Sequence, residues 1–99
     1  MNRQEEYNER VAICEIDGGL SSREAHRVAV DQMRDATQGD CPEAWTRLSR
    51  RWHALATEVY GRRKLEKVRD AIKQKHSAES FTHLTLGEIQ DSIDKLEAK

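Results

Sequence analysis

Trp45-Thr46-Arg47-Leu48-Ser49-Arg50-Arg51-Trp52-His53-Ala54-Leu55-Ala56-Thr57-Glu58-Val59 is the stretch that decides the fold. Its large apolar residues, Trp45, Leu48, Trp52, Leu55 and Val59, step by three and four. That spacing places them along one side of an α-helix, as a seam long enough to pack on a partner helix. Trp45 and Trp52, seven apart, share this side and are expected in the core rather than free to stack on bases. Upstream, Asp40-Cys41-Pro42-Glu43 starts the helix, with Asp40 expected to cap toward Glu43 and Pro42 in the first turn, where its missing N–H costs little. Downstream the phase slips by one residue at Gly61, and Leu65, Val68 and Ile72 restart it. One long helix with a rotated face and two helices meeting at Gly61 both fit. The absence of a second turn residue favours the single helix, ending near Lys75-His76.

The flanking segments read in the same way. Residues 3–17 carry Tyr7, Val11 and Cys14 on one side, with Ala12, Ile13 and Ile16 opposite. This helix is therefore either covered twice or offers an apolar side to a partner. Asp17-Gly18-Gly19 ends it. Ser21 and Glu24 have capping-box spacing and open a second helix, to about Ala36, with Ala25, Val28, Ala29 and Met33 inward. The short gap makes the two a helical hairpin. Thr37-Gln38-Gly39 closes the second helix. Phe81 and Leu84 plug a loop. Thr85 and Glu88 then make another capping box, and Leu86, Ile89, Ile93 and Leu96 form a last seam, to about Ala98. Strand-like alternation never persists. The expectation is one all-α domain over residues 1–99: a compact bundle of four to five helices, with an N-terminal hairpin packed on a long central helix and a C-terminal helix.

Composition agrees with a small globular protein. The 99 residues are 36% hydrophobic and 35% charged, against about 25% charged in an average protein. Leu, Ile, Val and Phe number only 18, but a net charge of −1 lacks the high net charge that keeps chains disordered. No apolar run approaches the roughly 18 residues of a membrane span. Met1-Asn2-Arg3-Gln4-Glu5-Glu6 does not read as a signal peptide. Cys14 and Cys41, 27 positions apart, do not make a disulfide framework. A cytoplasmic protein without membrane contact is expected.

The −1 conceals a partition. Residues 1–40 hold nine acids and five bases, net −4. Residues 42–76 hold ten bases and four acids, net +6, and residues 77–99 hold five acids and two bases, net −3. Arg47, Arg50 and Arg51 lie within about a turn of one another, and Arg62, Arg63, Lys64 and Lys67 cluster after Gly61. Such bases can face phosphates or an acidic protein surface. The default expectation is that they pair with the acidic flanks inside the fold. Tyr60, beside the seam, is a candidate interface residue. The seam's regularity also leaves a homodimer open.

Sites for chemistry are poorly supported. His26, His53, His76, His83 and the two cysteines have no zinc-ligand spacing, and no nucleophile elbow or glycine-rich phosphate loop is present. Neither a metal nor a cofactor is expected, nor enzymatic activity. The hairpin Val11–Ala29 has helix-turn-helix length, with Ser22, Arg23, Glu24, His26 and Arg27 opening its second helix. Its acidic surroundings favour a plain hairpin.

The stretch Glu9-Arg10-Val11-Ala12-Ile13-Cys14-Glu15-Ile16-Asp17-Gly18-Gly19-Leu20-Ser21-Ser22-Arg23-Glu24-Ala25 resembles a helical hairpin of phage and plasmid replication proteins and small mobile-element proteins. The run from Trp52 through Tyr60-Gly61 to Leu84-Thr85-Leu86-Gly87-Glu88-Ile89 resembles the small helical tails of phage replication and recombination proteins. These are patterns of caps and core residues, so no functional residue is carried over. The resemblance implies a bacteriophage or prophage context, the cytoplasm of a bacterial host, and a non-enzymatic role. The leading expectation is an accessory protein acting at DNA in replication, recombination or regulation. The alternative is a protein-binding phage factor that inhibits a host or defence protein, as an anti-CRISPR does.

Overall fold

The computed structural model describes residues 2–99. Among them are five α-helices and no strand: α1 Arg3–Ile16, α2 Ser22–Gln32, α3 Pro42–Tyr60, α4 Leu65–Lys75 and α5 Leu86–Glu97, with single 3-10 turns at Arg62–Lys64 and Phe81–His83. α1 pairs chiefly with α2, and α3 with α5, while thinner α1–α3 and α2–α5 contacts join the two pairs. The hairpin thus meets the central helix along a narrow line rather than a full face. The Cα envelope, 43 × 26 × 17 Å, is a slab about two helix layers thick.

The central seam is buried from Ala44 through Trp45, Leu48, Trp52 and Leu55 to Ala56. It ends one turn early, since Val59 is 40% exposed. The cause is Gly61, whose φ of 85° and ψ of 159° lie in a region essentially reserved for glycine. One such residue is enough to stop α3 at Tyr60 and turn the chain into a separate α4. The single rotated helix favoured by the sequence is therefore corrected to two helices. Ile72 of α4 reaches the core, and Leu65 and Val68 pack against its edge.

Caps show where local rules hold and where tertiary contacts replace them. Asn2 caps α1 by accepting from the Glu5 amide at 2.8 Å, and Gly19, at φ 64°, turns the chain after α1. Thr85 and Glu88 form the full reciprocal box. Ser21 accepts from the Glu24 amide, but the Glu24 carboxylate takes the Ser21 hydroxyl at 2.8 Å. Asp40 does not cap α3. It accepts from the Thr37 amide and hydroxyl instead. The first-turn amides of Glu43 and Ala44 donate to Gln4 Oε1 of α1, at 3.0 and 3.3 Å, which ties α1 to the start of α3.

α2 stops at Gln32, short of Ala36. The Leu86 and Gly87 amides at the start of α5 donate to the Ala36 and Arg34 carbonyls, at 2.9 and 3.0 Å. Val30 is buried at the end of α2, while Val28 is only half-buried.

Gly87 sits at this docking point. Alanine in a helix normally gains about 1 kcal/mol over glycine. Here its Cβ would fall 2.7 Å from Arg34 Cβ, an atom held too close to the backbone to swing aside. Overpacking costs about 1–3 kcal/mol, so Gly87→Ala should lower the melting temperature followed by circular dichroism. An unchanged or raised value would show that α5 does not dock on Arg34.

Candidate functional site

The eight bases and aromatics singled out in the sequence do not form one site. Arg47 and Arg51 lie one turn apart on the side of α3 that faces α2 and α5, and line a groove there. Arg50 borders a separate shallow depression with Pro42, Glu43 and Thr46. Tyr60, nine residues beyond Arg51 and about 14 Å along the helix axis, accepts a hydrogen bond from Lys99 Nζ. The same ammonium sits 4.9 Å from the ring centroid, so Tyr60 pins the C-terminus. Arg62, Arg63 and Lys64 occupy the 3-10 turn and Lys67 the first turn of α4, all four exposed.

The acidic flanks do not neutralise this basic middle. Half of the flank carboxylates, Glu6, Asp31, Asp35, Asp40, Asp91, Asp94 and Glu97, are engaged by arginines of the flanks themselves. Arg3 grips Asp35 with two bonds of 3.1 Å, and Arg27 grips Asp94 with two of 2.9 Å. Arg34 pairs with Asp91, Arg10 with Glu6 and Arg23 with Glu97. The hydrogen bond between Arg3 and Asp35 holds the carboxyl below its usual range. Exposed pairs like these contribute only about 0–1 kcal/mol each. They still decide which charges remain free. Of the ten bases in 42–76, only Arg51 reaches a flank carboxylate, Glu97 at 3.9 Å. Lys73 pairs with Asp70 inside the segment, and Arg69 lies over the Phe81 ring at 5.0 Å. Among the described residues Arg62, Arg63, Lys64 and Lys67 have no ion pair. The expected pairing of the basic middle with the flanks is thus corrected. Arg23 and Arg27 of α2, and Arg34 just after it, meet Glu97, Asp94 and Asp91 of α5.

The groove between α2, α3 and α5 has a volume of about 730 Å³. Val28, Leu48 and Ile93 give it an apolar floor, while Arg23 and Arg27 on one wall face Arg47 and Arg51 on the other. Reading the sequence missed it. The i, i+4 spacing of Arg23 with Arg27 and of Arg47 with Arg51 is its only sequence signal, and nothing local shows that the two pairs face each other. Because Arg23 and Arg27 are tied to α5, the start of α2 is not presented as a free recognition helix.

At one end of this region Arg47 Nη2 donates to the Tyr7 hydroxyl at 3.0 Å, and that hydroxyl lies 2.8 Å from His26 Nδ1. With Arg47 donating to the phenol oxygen, the phenol proton is directed to a neutral imidazole. Three helices meet in this chain of bonds. Burial, and then the positive Arg47, hold the His26 pKa below 6.5. The unfolded chain therefore takes up this proton where the folded chain resists it. The stabilisation is complete above the unfolded value and is lost as pH falls through the depressed folded value. Thermal melts between about pH 7.5 and 5.5 should show stability falling, and falling less in His26→Gln, which keeps an acceptor but does not titrate. Equal pH dependence in the two proteins would refute this role.

Among the described residues no group of three His, Cys, Asp or Glu side chains is placed to hold a metal ion. No helix is long and apolar enough to cross a membrane. Cys41 is buried, which pushes its thiol pKa up, and Cys14 packs half-buried against the core. No protein-family model, characterised protein or solved structure matches the chain.

Proposed function

We propose that this protein is a non-enzymatic accessory factor acting at DNA, in replication, recombination or regulation, through the basic corner at Gly61. The observation that carries the reading is the charge distribution. Half of the flank carboxylates are engaged by flank arginines, and among the described residues no flank acid reaches Arg62, Arg63, Lys64 or Lys67, which are exposed and without ion pairs. Unpaired bases on a convex corner are suited to neutralising phosphates, which is the sequence-independent, salt-dependent part of DNA affinity. The hairpin Glu9–Ala25 and the tail from Trp52 to Ile89, with their likeness to phage replication and recombination proteins, support a bacteriophage-type context.

A mobility shift with duplex and single-stranded DNA over a range of salt tests this. Binding is expected at low salt, weakening as salt rises, and absent when Arg62, Arg63 and Lys64 are replaced by Glu. No shift even at low salt would overturn it. The alternative, a protein-binding factor that inhibits a host or defence protein, is favoured by a different observation, the arginine-walled groove.

A further inference from the structure

We propose that the groove between α2, α3 and α5 docks an acidic amphipathic helix of a partner protein. The inference deepens the protein-binding alternative. It shares no residue with the Arg62–Lys67 corner, so either reading can fail without the other.

Two observations fit that occupant. The first is the floor. Val28, Leu48 and Ile93 offer apolar surface that a phosphate backbone would leave unused and that the apolar stripe of a helix would cover. The volume, about 730 Å³, corresponds to between one and two helical turns, since a turn 10–12 Å across with a 5.4 Å pitch fills about 400–600 Å³.

The second is the placement of charge on both walls. Arg23 and Arg27 are one turn apart on α2, and Arg47 and Arg51 are one turn apart on α3. Among the described residues Arg47 has no ion pair and Arg51 only the long contact to Glu97. Carboxylates spaced i, i+4 on the flank of a docked helix therefore match the α3 wall. On the α2 wall Arg27 is already held by Asp94 and Asp31. A carboxylate already bridges the walls. Glu97, the last residue of α5, places one oxygen 3.2 Å from Arg23 Nη2 and 3.9 Å from Arg51 Nη2. It stands where an acid of the partner would sit, and it competes with that acid.

The probe is a fluorescein-labelled, lactam-stapled peptide with leucines at i, i+3, i+4 and i+7 and glutamates on both flanks, followed by fluorescence anisotropy with the full chain. Wild type is expected to bind it. Arg23→Glu and Arg51→Glu should each weaken binding by at least about tenfold, as loss of a charged partner in an interface does. Glu97→Gln removes the internal competitor that spans Arg23 and Arg51, leaves Asp94 on Arg27, and should bind several-fold tighter. This conservative variant keeps the test decisive even if a charge reversal disturbs folding. Arg62→Glu should leave binding unchanged. The proposal is overturned if the acidic peptide does not bind, if a lysine-for-glutamate peptide binds equally, or if Glu97→Gln has no effect. Displacement of the peptide by dodecanoate below its micellar concentration would overturn it as well, in favour of a small anionic amphiphile.

Discussion

Trp52→Ala is expected to lower the unfolding free energy by about 3–5 kcal/mol, the usual cost of truncating a fully buried aromatic to alanine. Trp52 is 1% exposed and lies in the middle of α3. Its ring is 5.1 Å from that of Phe81 and 4.9 Å from that of His53, centroid to centroid. The contact with Phe81 joins α3 to the loop that leads into α5, so truncation opens a cavity between elements distant in the chain. Domains of this size are held by about 5–15 kcal/mol in total, so the loss is a large fraction of what is available. Urea denaturation followed by circular dichroism should show a lower midpoint with an unchanged slope. Val59→Ala is the control. Val59 belongs to the same sequence seam but is exposed, and its truncation should change stability by no more than about 0.5 kcal/mol. Equal losses at the two positions would contradict the end of the core at Leu55 and Ala56.

Replacing Arg62, Arg63 and Lys64 together by Glu is expected to abolish DNA binding while sparing the fold. The logarithm of the binding constant falls with the logarithm of salt by about 0.9 per phosphate neutralised. Removing three such contacts should therefore flatten the slope by about 2.7. The reversed charges add repulsion, so affinity at low salt should drop by at least about 100-fold. The three side chains are exposed and make no ion pairs among the described residues. Thermal stability should then stay near that of wild type, because surface changes away from such contacts cost little. Unaltered affinity or salt slope in a folded variant would remove the corner from the interface.

The parts of the fold legible in the sequence are those set by near neighbours. The core residues of the last helix, Leu86, Ile89, Ile93 and Leu96, are all buried as their spacing predicts, and the Thr85–Glu88 box forms as its spacing predicts. Phe81 and Leu84 plug the core from their loop. The opposite side of α1 is uncovered, with Ile13 51% and Ile16 78% exposed, so this helix is not covered twice within the chain. The break at Gly61 is local, but two other departures share a cause. Asp40 lost the α3 cap to Gln4, and the groove joined arginine pairs from different helices. Each depends on a residue brought in from elsewhere in the chain.

The amino-acid sequence by itself determined the helical class, the approximate helix positions and the apolar seams, because propensity, capping and periodicity act over about four residues. It also determined that charge is partitioned along the chain. Only the tertiary structure decided which of those charges are engaged. Arg27 finds Asp94 at a separation of 67 residues and Arg23 finds Glu97 at 74. No local rule reaches that far, since an ion pair requires only that two side chains converge in space. That convergence ties α2 to α5 and builds the arginine-walled groove, while no flank acid reaches the Gly61 corner among the described residues.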